Sequence, residues 1–186
     1  ERAVAAMPAP PPLLSGQLAA LQAHVVRVRG ETGRSLAPSR RALELLPPEE
    51  QQWRGRVLVN LAGICWATGD AEGALRWYTE AGAAGAAAEN HTQALTAWGL
   101  QGGILADTGQ LAAARARFER ALAYAAERGL RAAPVVSYCL LGLGRIRYEQ
   151  GELEAARALL EEALDLGRRG DIGDVILQGS LALATL

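Results

Sequence analysis

Apolar residues recur along most of this chain at helical spacing, and glycines interrupt the pattern at regular intervals. Gly30, Gly69, Gly109 and Gly151 follow one another after 39, 40 and 42 residues. A helical run precedes each glycine and another follows it, as expected where a chain reverses, because only glycine adopts positive φ easily. Self-similarity at a period of this length is typical of stacked helix pairs. The sequence therefore predicts an all-α fold, an α-solenoid.

The helices that follow two of these glycines are clearly amphipathic. After Gly109, one face carries Leu111, Ala114, Phe118, Ala121, Leu122 and Ala125. After Gly151, the corresponding face carries Leu153, Ala156, Leu160, Ala163 and Leu164. Most charged residues of these helices lie off the apolar face, so each helix is expected to bury one side against its neighbours.

The pattern divides the chain into a Pro-rich arm or linker at residues 1–13 and a single helical-repeat domain at residues 14–186. Prolines crowd residues 8–12, and proline is incompatible with the interior of a helix. Four helix pairs and a last, unpaired helix are predicted at residues 14–48, 52–88, 92–129, 134–169 and 174–186. An apolar helical pattern runs to the last residue, so we expect the sequence to be a piece of a larger protein.

Composition narrows the possible functions. Half of the residues are hydrophobic and only 5% are aromatic, so the core is expected to consist mainly of Ala, Leu and Val. A net charge of −1 gives no electrostatic reason to expect nucleic acid or an anionic membrane as a partner. All 19 basic residues are Arg, and a Walker-type phosphate loop requires Lys. We interpret Cys65 and Cys139 as small buried hydrophobes in a reducing, cytoplasmic compartment.

Catalytic chemistry has little support in the sequence. The two histidines, His24 and His91, have no cysteine or carboxylate partners at the spacing of a metal site. No Gly-x-Ser-x-Gly motif for a nucleophilic serine occurs. We therefore predict neither an enzyme nor a resident metal or cofactor.

Small residues recur at equivalent positions of successive predicted pairs. The second helices carry Ala74, Tyr78 and Ala81, then Ala114, Phe118 and Ala121, then Ala156, Leu160 and Ala163. The first helices carry Ala62, Gly102 and Gly144, and Pro47 ends the first pair. In these residues the chain resembles the tetratricopeptide repeat over roughly residues 14–186, although its period exceeds the common one of about 34 residues. The resemblance implies a right-handed superhelix of about four helix pairs plus a final unpaired helix.

Two segments narrow the resemblance further. These are YCLLGLGRIRYEQGELEAA at residues 138–156 and RALELLP at residues 41–47. Both are similar to the sensor region of MalT-like regulators, large bacterial LuxR-type transcription factors with an ATPase module, a helical-repeat sensor and a DNA-binding domain. The resemblance implies a cytoplasmic domain that senses a ligand or partner in its concave groove and signals to an ATPase and DNA-binding part absent here. The alternative is a general scaffold that grips a peptide or helix of another protein.

The resemblance also implies which residues face the groove, because in the family the first helix of each pair lines it. The expected ligand- or partner-binding residues are Arg56, Trp66, Asp107, Tyr138, Arg145, Tyr148 and Glu149. Aromatic rings supply stacking surfaces and arginines bind anionic groups. The expected occupant is a small-molecule inducer or a protein or peptide partner, with no direct contact to nucleic acid or membrane. A homo-oligomer is a further possibility.

Overall fold

The computed structural model describes residues 11–186, apart from the side chain of Val28, and contains nine α-helices and no strand within that range. The helices are α1 Pro12–Val28, α2 Leu36–Leu45, α3 Gln51–Ala67, α4 Ala71–Ala87, α5 His91–Asp107, α6 Leu111–Glu127, α7 Ser137–Glu149, α8 Leu153–Arg169 and α9 Gly173–Ala184. Short 3₁₀ turns, Thr32–Ser35 and Pro134–Val136, precede α2 and α7. Consecutive helices pack against one another as pairs, so the predicted all-α solenoid is confirmed.

The beginning of α1 falls inside the predicted Pro-rich arm. Residues 1–10 of that arm lie outside the described residues. Pro12 and Leu13 form the first turn of α1, because proline lacks only a backbone N–H that would have no helical partner at that position.

The four periodic glycines all adopt the left-handed conformation that the reversal of the chain requires. Their φ angles are 80° at Gly30, 83° at Gly69, 78° at Gly109 and 78° at Gly151. In the turn between α3 and α4, the Gly69 N–H donates to the carbonyl oxygen of Trp66. This bond satisfies one of the carbonyls that the end of a helix leaves unpaired.

Within a pair, a small residue of the first helix makes room for a large residue of the second. Phe118 of α6 is completely buried against Gly102 of α5. A Cβ atom added to Gly102 would lie 2.3 Å from Cε1 of Phe118, and one added to Gly142 of α7 would lie 2.2 Å from its Cζ. The ring is therefore clamped between two glycines, and its position depends on both of them.

The residues that recur at equivalent positions of α4, α6 and α8 are all buried. Each is at most 5% exposed: Ala74, Tyr78, Ala81, Ala114, Phe118, Ala121, Ala156, Leu160 and Ala163. Leu153, which was also expected on the buried face of α8, is instead 43% exposed. Cys139 is also fully buried, as expected, but Cys65 is only partly buried. Cys65 packs against the edge of the core rather than within it, so its interpretation as a buried hydrophobe holds only in part.

The first helices of the pairs form one continuous layer. Each of α1, α3, α5, α7 and α9 contacts the next in that order. Within residues 11–186, none of the second helices, α2, α4, α6 and α8, contacts another second helix. Because neighbours approach more closely on the first-helix side, the stack curves with that side inward. The inner surface therefore belongs to α1, α3, α5, α7 and α9.

Candidate functional site

The seven groove residues expected from the resemblance do not form a single site. One cavity of about 250 Å³ is lined by four of them, Trp66, Asp107, Tyr138 and Arg145. Arg56 lines a different cavity, of about 330 Å³, nearer the beginning of the chain. Tyr148 and Glu149 lie exposed at the end of α7, outside both cavities. The Tyr148 hydroxyl instead donates to the carbonyl oxygen of Thr185, after α9, at 3.5 Å.

The smaller cavity, called the aromatic cavity below, is built by six helices. Its lining includes Trp66, Tyr78, Gly99, Gly103, Asp107, Tyr138, Leu141, Arg145, Asp174 and Gln178. Glycines of α5 provide the space, because a Cβ atom on Gly99 would lie 2.7 Å from Cβ of Tyr138. The cavity thus brings together residues of α3, α4, α5, α7 and α9 with Phe118 of α6, which no single helix pair could do.

Charged groups of both signs line the aromatic cavity. Arg145 and Asp107 form an ion pair at 3.4 Å, and both side chains are about two-fifths exposed, at 44% and 40%. An exposed pair of this kind stabilises a fold very little, so either group can exchange its partner for a ligand at low cost.

The tyrosines of the aromatic cavity are held in their neutral, hydrogen-bonding form. Burial raises the pKa of Tyr78 to about 12. Burial, and then the nearby carboxylate of Asp174, raise the pKa of Tyr138. A neutral phenol both donates and accepts hydrogen bonds, and its ring stacks on flat apolar surfaces. These features suit a polar molecule with an apolar face.

The larger cavity, called the cationic cavity below, lies between α1, α3 and the beginning of α5. Its lining comprises Ala20, Leu21, His24, Arg27, Trp53, Arg56, Val59, Asn60, Asn90, Thr92, Gln93 and Thr96. The Arg27 Nε–H donates to Oδ1 of the buried Asn60 at 2.7 Å. The Arg56 guanidinium carbon lies 5.6 Å from the centre of the Trp53 ring.

Of the seven expected binding residues, only Arg56 lines the cationic cavity. Arg27 and His24 belong to α1, whose partner α2 is short and preceded by a 3₁₀ turn, so no repeat position could be transferred to it. Asn60 is a buried polar residue within the apolar stretch of residues 57–62, and that pattern is the signal in the sequence that could have found it. Gln93 is also buried, but it follows the polar residues Asn90, His91 and Thr92, so no such signal marks it.

Across residues 11–186, no three His, Cys, Asp or Glu residues lie close enough to hold a metal ion. None of the helices described combines the length and the apolar character needed to cross a lipid bilayer.

Comparison with protein families assigns the chain to a known class of repeat. The family model described as the MalT-like TPR region matches residues 16–186, which cover all the helices from early α1 onward. A search of curated proteins found no significant match to the chain. The matched segment contains every helix that builds the two cavities. The chain therefore belongs to the family of MalT-like tetratricopeptide-repeat regions.

Proposed function

We propose that this domain is the ligand-sensing repeat region of a cytoplasmic, MalT-like bacterial transcription regulator, with the aromatic cavity as its sensing site. The observation that carries the proposal is the convergence of Trp66, Tyr138 and the Arg145–Asp107 pair on one cavity of about 250 Å³. A concave site with apolar walls and a few convergent polar groups is the usual form of a small-molecule site. The domain acts by binding and performs no catalysis.

Ligand binding in this cavity would act on the arrangement of the repeats. The lining side chains come from three successive helix pairs and from α9. In a solenoid, each repeat contacts only its neighbours, so the overall curvature is the sum of small rotations between them. A ligand that touches several repeats at once favours the curvature at which all its contacts are made. That change of curvature is the signal passed to the ATPase and DNA-binding modules of the regulator.

The proposal can be tested with a thermal-shift panel of sugars, nucleotides, amino acids and short peptides. A ligand at 100 times its Kd stabilises the folded state by about 2.7 kcal/mol. For a domain of this size, that stabilisation raises Tm by roughly 5–10 °C. We expect at least one compound to produce such a shift, and Trp66→Ala to abolish it.

Tyr148→Ala is the matched control, because Tyr148 and Trp66 are equally exposed, at 42% and 41%, and only Trp66 lines the cavity. The shift should survive in Tyr148→Ala. A panel without a single stabilising compound would contradict the proposal, as would a shift that both variants remove equally. A ligand that leaves the activity of a full-length regulator unchanged would also contradict it.

A protein-interaction scaffold is the second candidate, favoured by the path of α5. The beginning of this helix lines the cationic cavity through Thr92 and Thr96, and its second half lines the aromatic cavity through Gly103 and Asp107. An extended peptide or a helix could follow α5 and occupy both cavities. In that case both Arg56→Gln and Trp66→Ala should bind the same peptide more weakly than the parent protein does. A small molecule that occupies one cavity should lose affinity for only one of the two variants.

A further inference from the structure

We infer that the cationic cavity is a second binding site, for a small organic anion whose carboxylate or phosphate group lies between Arg27 and Arg56. This inference goes beyond the proposed function, because it assigns a ligand class to a cavity that the proposed sensing site does not use. The two cavities share no lining residue.

The lining of the cationic cavity carries positive charge that no lining carboxylate balances. Arg27, Arg56 and His24 line it, and no Asp or Glu does. Neither arginine forms an ion pair with any residue in the described part of the chain. Guanidinium groups make their strongest hydrogen bonds to carboxylates and phosphates, often in pairs. An anion is therefore the complementary ligand.

The guanidinium of Arg27 is held in place by a neutral partner. Its Nε–H donates to Oδ1 of Asn60, a residue only 4% exposed. This bond orients the arginine without neutralising it. The terminal NH₂ groups of Arg27 have no hydrogen-bond partner among residues 11–186, and an anion in the cavity can accept from them.

A buried amide in the cavity wall also lacks a partner. The Gln93 side chain belongs to a residue only 8% exposed, and neither its Nε2 nor its Oε1 has a hydrogen-bond partner among the described residues. Buried amides without partners are rare, since losing the hydrogen bonds of water is costly. Nε2 packs against Gly55 of α3, since a Cβ atom added there would lie 1.8 Å from it, so the Gln93 side chain has to rotate toward the cavity before it can donate to a carboxylate or phosphate oxygen. The first turn of α5, where Gln93 lies, also carries the positive end of the helix dipole.

The rest of the cavity selects an anion with a small apolar body. Leu21, Val59 and the Trp53 ring supply apolar wall beside the arginines. The volume of about 330 Å³ lies at the lower end of the range for small-molecule sites. An aromatic or short aliphatic acid, or its phosphate counterpart, satisfies both the charge and the space.

The test measures binding of phenylacetate and phenyl phosphate by isothermal titration calorimetry, with 2-phenylethanol as the uncharged counterpart. We expect at least one of the two anions to bind, and the alcohol not to bind. Phenyl phosphate binding alone would identify a phosphate site, and phenylacetate binding alone a carboxylate site. Arg56→Gln should weaken binding at least about tenfold, because a charge-assisted hydrogen bond is lost.

Arg56→Gln is the informative variant, because within residues 11–186 the Arg56 side chain makes no hydrogen bond that the fold would lose. Arg27→Gln should weaken binding similarly, but it also leaves Asn60 without its partner, so its folding is checked by circular dichroism. Arg157→Gln, on the exposed face of α8, is the matched control and should bind as the parent does. Anion binding should persist in Trp66→Ala, because Trp66 does not line the cationic cavity. The test of the cationic cavity can therefore fail or succeed independently of the test of the aromatic cavity.

Three results would overturn the inference. The first is no binding of either anion at millimolar concentration. The second is equal binding of the alcohol, which would show that the charge is irrelevant. The third is an equal loss of affinity in Arg56→Gln and Arg157→Gln, which would indicate a general effect of charge on the surface.

Discussion

Adjacent glycines in the middle of α5 should respond in opposite ways to substitution by alanine. A Cβ atom on Gly102 would lie 2.3 Å from Cε1 of Phe118, whereas one on Gly103 would have no atom within 4 Å. Both positions are interior to the same helix, so alanine gains the same helix propensity at each, about 1 kcal/mol. The difference between the two variants therefore isolates the contact with Phe118.

The size of that difference follows from how little Phe118 can move. Carbon atoms in contact normally lie about 3.5–4.0 Å apart, so the ring would have to shift by more than about 1 Å. The ring is fully buried, and the backbone of Gly142 closes its other side. Overpacking of this kind costs about 1–3 kcal/mol. We expect Gly103→Ala to stabilise the domain by up to about 1 kcal/mol and Gly102→Ala to be about 1–3 kcal/mol less stable than Gly103→Ala.

Urea unfolding followed by circular dichroism measures both free energies, and a second background tests the cause. Phe118→Ala should itself cost about 3–5 kcal/mol, as expected for a buried aromatic residue. In that background the ring is gone, so Gly102→Ala should become stabilising, like Gly103→Ala. Equal stability of the two alanine variants in the parent protein would refute the reasoning, as would a Phe118→Ala loss below about 1 kcal/mol.

Titratable side chains give two further predictions. Cys139 is fully buried, and burial raises its pKa to about 12. A thiol reagent should therefore modify Cys65 in the folded protein and reach Cys139 only on unfolding. Equal rates of thiol modification in the Cys65→Ser and Cys139→Ser variants would contradict this prediction. Burial raises the pKa of the Tyr78 phenol from 10 to about 12, so the unfolded state loses the phenolic proton at a lower pH than the folded state does. The free energy of unfolding should therefore fall as pH rises from 10 to 12. Urea unfolding at each pH should show a weaker decrease of the unfolding free energy in Tyr78→Phe. The same decrease in Tyr78→Phe and in the parent protein would contradict the raised pKa of Tyr78.

Repeat periodicity made the helices and much of the core predictable. The spacing of Gly30, Gly69, Gly109 and Gly151 marks turns at which only local backbone geometry matters, and all four adopt positive φ. The buried positions of the second helices follow from an amphipathic pattern, which is also local. Such features are determined by neighbours in sequence, so they can be inferred from the sequence.

The candidate sites were only partly predictable, and the reason lies in their construction. Trp66, Asp107, Tyr138 and Arg145 were expected on one groove, and they do line one cavity. Tyr148 shares the spacing of a groove residue, yet it lies at the end of α7 next to Thr185, after α9. Helical spacing gives the face of a residue but not the position of the next helix along the stack.

The sequence by itself determined the all-α class, the helix pairs, the turns between them and the family to which they belong. Those properties depend on periodicity, glycine conformation and side-chain volume over short stretches of chain. Three features follow only from the tertiary structure. The inner surface carries the aromatic and the cationic cavities, Arg56 lines a cavity with Arg27 rather than with Trp66, and the buried Gln93 amide has no hydrogen-bond partner among the described residues. These features depend on side chains from helices far apart in sequence, whose relative placement is set by the packing of the whole stack.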